Sequence, residues 1–144
     1  MSRIDVIQAE NTNEFDRING GTCIAYWRNN VPQSEDSFSY CRATHRYGTQ
    51  SDILVGGHVI GIVDGMPHVF ITPILDSVNK SDNPKIFEVD ERDLVQVPSA
   101  DEQVLLTDKD NQRLVEVLRE KYLKQEYMQK LYSLSLNRYG TKHP

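Results

Sequence analysis

The dipeptide Asp64-Gly65 stands between two apolar runs, VIGIV and HVFITPIL. Asp and Gly tolerate the positive φ angles that a two-residue hairpin turn requires, and the flanking runs are rich in β-branched residues. The pattern predicts two antiparallel strands, 58–63 and 67–72, at the centre of the chain. Pro73 is expected to end the second strand, because proline has no N–H to give a ladder. Residues 74–80, ILDSVNK, have the length of a short helix with Ile74, Leu75 and Val78 on one side. A turn at 81–84 and short strands at 86–89 and 94–97 follow, with the acidic 90–93 between them as a solvated turn.

Ahead of the hairpin, residues 1–21 are mostly polar and read as an N-terminal lead, closed by the turn signal Asn19-Gly20-Gly21. Residues 22–28, TCIAYWR, read as a strand with Trp27 as a core anchor. A loop around Pro32 covers 29–37, a short strand with Cys41 facing inward covers 38–44, and a turn covers 45–52.

The C-terminal third is helical. Thr107-Asp108-Lys109-Asp110 approximates a capping pattern, and no Pro or Gly follows until Gly140. The helix is expected over about 108–138. At roughly 100° per residue, Leu114, Val117, Leu118, Tyr122, Met128, Tyr132, Leu136 and Tyr139 share one stripe. In the second half Leu123, Tyr127, Leu131 and Leu134 make a second one. The domain can cover one stripe by itself. Two stripes call for a homodimer or a partner protein, unless the helix breaks near Tyr127 and both pack within the monomer.

Composition bounds the function. The 144 residues fit a single domain, 1–144, with the lead at 1–21, an α+β core at 22–99 and the helix at 107–139. No apolar run approaches the ~20 residues of a membrane span. The N-terminus lacks the apolar region of a signal peptide, so a cytoplasmic location is expected. Cys23 and Cys41 are too few for a disulfide framework and are expected to be reduced. The net charge is −5, unevenly spread: residues 1–107 carry 8 basic and 16 acidic residues, whereas 108–139 carry seven basic and five acidic. An acidic body repels phosphate, which weighs against nucleic-acid binding.

Several segments resemble small HNH-related zinc proteins of treble-clef type. They are Gly57-His58-Val59, then Phe70-Ile71-Thr72-Pro73-Ile74-Leu75, Ser77-Val78-Asn79-Lys80, Phe87-Glu88-Val89 and Leu94-Val95-Gln96-Val97. The resemblance covers about residues 41–97. It implies a hairpin followed by a helix, with four cysteines holding zinc at two knuckles. This chain departs from that pattern. Leu75 and Val78 stand where one cysteine pair would be, and Cys41 keeps only Thr44 as its companion at the other. One thiolate cannot make such a site, so hydrocarbon burial is expected where zinc would sit, with no metal and no cofactor. The implied fold class is α+β: a small antiparallel sheet with a zinc-free treble-clef-like hairpin–helix unit and a long C-terminal helix.

The resemblance also implies candidate site residues. An HNH nuclease uses a general-base His and a divalent cation. His58 and Asn79 occupy the corresponding positions, but Gly57 precedes His58 where a metal-binding side chain would stand, and Lys80, Ser81 and Asp82 follow Asn79 where a His would. His58 therefore has three readings: a buried ring bonded to a backbone carbonyl, a contact for a small molecule or partner, or a catalytic base. No activated cysteine, phosphate loop or nucleophile elbow is present. The leading expectation is a non-enzymatic interaction module, of the accessory or inhibitory kind that a phage or mobile element carries. Its partner protein, or a second copy, would bind Leu123, Tyr127, Leu131 and Leu134 on the C-terminal helix. The alternative is a divergent HNH-type nuclease or nucleic-acid-binding domain using His58 and Asn79.

Overall fold

A computed structural model describes residues 2–31, 40–81 and 83–140, with side chains through residue 136. In chain order the strands are β1 (Arg3–Gln8), β2 (Arg17–Ile18), β3 (Gly21–Thr22), β4 (Leu54–Val63), β5 (Met66–Leu75), β6 (Ile86–Asp90) and β7 (Val95–Gln96). The α-helices are α1 (Cys23–Asn30), α2 (Asp76–Asn79), α3 (Ser99–Thr107) and α4 (Lys109–Gly140). The fold is α+β: one five-stranded antiparallel sheet, in the order β6-β1-β4-β5-β7, with helices packed on it.

The central hairpin turns at Asp64 and Gly65, whose φ angles of 52° and 80° suit a two-residue connection. Its strands are longer than the expected 58–63 and 67–72, pairing from Val63 opposite Met66 down to Leu54 opposite Leu75. Pro73 does not end β5. It lies opposite Gly56. Hydrogen-bonded and non-bonded pairs alternate away from the turn, and this places Pro67 and Pro73 at non-bonded pairs, where no N–H is needed by β4. The Pro73 carbonyl accepts a bond from Arg42 N at 2.9 Å. Because β5 continues, the helix expected over 74–80 shrinks to α2.

Three sequence expectations are corrected by the structure. The lead at 1–21 carries β1, an interior strand between β4 and β6, with Val6 0% and Ile7 2% exposed on opposite faces. Of residues 22–28, expected as one strand, only Thr22 is extended, at the end of β3, and 23–28 belong to α1. Thr22 Oγ1 accepts from Ala25 N at 3.2 Å and so caps the helix. Gly56 lets that helix rest on β4, since a Cβ there would lie 2.6 Å from backbone atoms of Cys23 and Ile24. Of the strand expected at 38–44, residues 38 and 39 lie outside the described residues; so do 32–37, most of the loop expected around Pro32. Tyr40 forms only an isolated bridge to Tyr47, and 42–44 form a turn, while Cys41 does face inward.

The C-terminal third holds two helices instead of one, since α3 precedes α4. The cap of α4 is Asp108, not Thr107: Asp108 Oδ1 accepts from the N–H groups of Asp110 and Asn111 at 2.9 and 3.2 Å. Thr107 turns its hydroxyl back to the Val104 carbonyl.

The sheet is buried on both faces. On one, Ile7, Ile60, Val69 and Ile71 pack with Trp27 of α1, Leu105 of α3 and Val115 and Leu118 of α4. On the other, Val6, Val59, Phe70, Phe87 and Val89 pack with Cys41, Ile74, Leu75 and Val78. The first turns of α4 thus belong to the core. From Tyr122 to Leu136 every residue is exposed, and the helix runs unbroken past Tyr127. The expectation that a break lets both stripes pack internally is therefore corrected. Among the described residues no helix is long and apolar enough to cross a membrane.

Candidate functional site

His58 lies on β4, two residues before Ile60 and hence on the face that α1 covers. Asn79 ends α2. The structure brings these two positions to one cavity of about 480 Å³, lined also by Asp16, Cys23, Asp76 and Lys80. Gly57 is what lets the Asn79 amide come close, because a Cβ at Gly57 would lie 3.2 Å from Asn79 Oδ1 and would clash with Ile74.

The electrostatics of the cavity are those of a neutral imidazole. Burial pushes the His58 pKa down to about 4, against the opposing pull of the Asp16 carboxylate. The ring is 5% exposed. The expected carbonyl partner is missing at Nε2, which is buried without a hydrogen bond among the described residues. Burial, helped by the carboxylates of Asp16 and Asp101, raises the Cys23 thiol to about 11, and its Sγ donates to the Phe15 carbonyl at 3.3 Å. Cys23 is thus a thiol at neutral pH, not a nucleophile. Lys80 is paired with Asp76 at 2.8 Å. Such a cavity can offer hydrogen bonds to a small polar group. Its base is weak.

The metal chemistry that the resemblance implies does not fit these residues. Cys41 is fully buried in the same apolar cluster as Leu75, 2% exposed, and Val78, 5% exposed. Thr44 lies in a turn where its Oγ1 accepts from Arg46 N. This donor set has one sulfur and two hydrocarbons, which cannot make a tetrahedral thiolate site. Around His58, as elsewhere among the described residues, no three His, Cys, Asp or Glu side chains converge on a point where a cation could sit.

Two polar arrangements were not legible in the sequence. Arg42 is 2% exposed, with its guanidinium 3.9 Å from the Tyr40 ring centroid and 5.4 Å from that of Trp27. Its Nε pairs with Asp93 Oδ2 at 3.1 Å, and the Asp93 carbonyl accepts from both Trp27 Nε1 and Thr72 Oγ1. Asp93 therefore belongs to a structural hub and not to a freely solvated turn. His68, on β5, has Nδ1 within 3.2 Å of both Glu102 Oε1 and Gln96 Nε2. Neither cluster could be assembled from the sequence, because Arg42 meets Trp27, Thr72 and Asp93, and His68 meets Gln96 and Glu102, only through folding.

The second candidate surface is the distal part of α4. Leu123, Tyr127, Leu131 and Leu134 are 62%, 63%, 43% and 64% exposed. Met128, Tyr132 and Leu136, from the other stripe, are also exposed beyond the reach of the sheet. Only Lys124, Glu126 and Lys130 bring charge to residues 122–136. Leu118 is 2% exposed, so the boundary between packed and bare helix falls within one turn. No protein-family model, curated protein or solved structure matches the chain.

Proposed function

We propose that this chain is a non-enzymatic interaction module that binds a protein through distal α4. Its core, on this reading, is an HNH-related hairpin–helix unit in which hydrocarbon packing has taken over from zinc. One observation carries the interaction reading: a continuous helix extends large apolar side chains into solvent over residues 122–136. Monomeric proteins seldom leave so contiguous an apolar surface bare, and such surfaces mark contact sites. A cytoplasmic accessory or inhibitory protein of a phage or mobile element fits this design.

The test is to place single charges on the arm, Leu123→Lys and Leu131→Lys. Both sites are solvent-facing, so neither substitution should disturb the fold of the single chain, which far-UV circular dichroism checks. Any assembly formed by the parent, with itself or with a co-purifying protein, should be lost in native mass spectrometry. Assemblies that survive both substitutions would refute the reading.

The nuclease alternative rests on His58 and Asn79 meeting at one cavity. It requires divalent-metal binding and cleavage that His58→Ala abolishes. A base whose pKa is held near 4 by burial is poorly matched to accepting a proton at neutral pH, which is why the interaction reading is preferred.

A further inference from the structure

Two needs of the His58 cavity are unmet among the described residues: a buried ring nitrogen has no hydrogen-bond partner, and a carboxylate has no counter-charge. We propose that the cavity binds a small organic ammonium, an N–H cation held by Asp16 and His58 with its apolar body against α1 and β4. The proposal goes beyond the reading of distal α4 and does not depend on it.

Size and lining admit a small molecule. The cavity of about 480 Å³ lies within the roughly 300–1,000 Å³ that such sites occupy. Ile24 of α1 and Leu54 and Val55 of β4 give its wall half-buried hydrocarbon. An apolar body on the ligand has somewhere to rest.

Charge fixes the sign of the ligand. Asp16, Asp76 and Lys80 are the charged side chains of the lining, and Lys80 is matched to Asp76 at 2.8 Å. Asp16 is left over. It is an exposed residue whose carboxylate enters no hydrogen bond or ion pair among the described residues. Its field reaches inward, since it helps to raise the Cys23 thiol and opposes the lowering of His58. Cys23 and His58 are both neutral near pH 7, so two carboxylates against one ammonium leave the lining net negative. It attracts a cation and repels a phosphate or a carboxylate.

Hydrogen bonding fixes the kind of cation. His58 is 5% exposed, and its unpaired Nε2 has lost the bond that water would make to it. A cation drawn to Asp16 brings donors, so Nε2 takes the acceptor role and the ring proton goes to Nδ1. A bare metal ion fits poorly, because no three ligating side chains converge among the described residues. An ammonium needs only acceptors, and its N–H groups can bond a carboxylate and an imidazole at once. Asp16 at the exposed rim and His58 on the buried side of the lining place the cation between them.

Three probes of nearly one shape test this on the full chain by nuclear magnetic resonance: 2-phenylethylammonium, 2-phenylethanol and phenylacetate. The ammonium should bind saturably and move the ring-nitrogen signals of His58, leaving one nitrogen bare and one protonated. The alcohol and the anion should each bind roughly tenfold more weakly or worse. Asp16→Asn, at an exposed site that leaves the fold intact, should weaken the ammonium about tenfold. His58→Phe, which keeps a ring and removes the acceptor, should weaken it several fold. Equal binding of the three probes, or tighter binding of the anion, would overturn the proposal. So would an ammonium that fails to saturate by about 10 mM, or one that binds without moving His58. Each of those results leaves the α4 reading standing, since no variant here touches residues 122–136.

Discussion

Asn111 pairs with the backbone of Glu10 as a neighbouring strand would. Its Oδ1 accepts from Glu10 N at 2.8 Å, and its Nδ2 donates to the Glu10 carbonyl at 2.9 Å and to that of Leu105 at 3.0 Å. The side chain is fully buried. It joins the first turn of α4 to the residues after β1, and Asn11 adds bonds from its Nδ2 to Asp108 and Asp110. The direction in which the arm leaves the sheet is set here.

Replacing Asn111 with Leu keeps the volume but strands those backbone groups. A buried polar group without a partner costs about 1–3 kcal/mol, so Asn111→Leu should lower stability by roughly 2–4 kcal/mol. Urea unfolding measures this as a lower midpoint at unchanged slope. A loss below 1 kcal/mol would show that water replaces the amide.

Gly56 and Gly57 are neighbours with different obstacles. A Cβ at Gly56 meets backbone atoms of Cys23 and Ile24, whereas one at Gly57 meets the Ile74 side chain. A side chain can rotate away and a helix N-terminus cannot. Gly56→Ala should therefore cost more than Gly57→Ala, about 3 kcal/mol or above against 1–3 kcal/mol. Thermal melts of the two variants, read side by side, check the order.

His58 makes stability depend on acidity. In the unfolded chain it takes up a proton below its ordinary 6.5, but in the folded protein only near 4. Between these values the unfolded state holds more protons, so stability falls as pH drops from about 6.5 to 4, by on the order of 3 kcal/mol. Above 6.5 this contribution is constant. His58→Gln should flatten that slope, which unfolding curves taken across the range will reveal; identical slopes would contradict the burial argument.

Arg42 and Asp93 form an ion pair whose arginine is almost fully enclosed. Removing one member leaves the other charge buried, which typically costs 3–5 kcal/mol, and Arg42→Ala should fall at the lower end, about 3 kcal/mol, because Asp93 keeps some solvent. Arg42→Lys should restore little, since an ammonium cannot stack on Tyr40 and Trp27 as a planar guanidinium does. Denaturant midpoints of the two variants, and tryptophan fluorescence from Trp27, report the result.

The candidate sites were unevenly legible. Leu123, Tyr127, Leu131 and Leu134 stood out because helical periodicity is a local property, and their exposure follows from a helix longer than the sheet that supports it. His58 and Asn79 could be singled out as candidates, but Asp16 and Cys23 could not be assigned to the same cavity. Asp16 precedes α1 and Cys23 begins it, and nothing near them in sequence records that α1 will rest on Gly56.

Sequence by itself determined the elements whose signals are local. Asp64-Gly65 sets the hairpin through two positive φ angles, and the run without Pro or Gly before Gly140 sets the long helix. Only the tertiary structure decided between competing local choices. TCIAYWR has the composition of a strand, yet it becomes a helix because Thr22 caps it and Gly56 opens a seat for it. The polar lead becomes an interior strand because β4 and β6 each offer an edge that must be paired. Arg42 is buried because Asp93 and Trp27, from two distant parts of the chain, close around it and its neighbour Tyr40. Dihedral preferences act within a few residues, whereas pairing, burial and desolvation depend on what folding brings alongside.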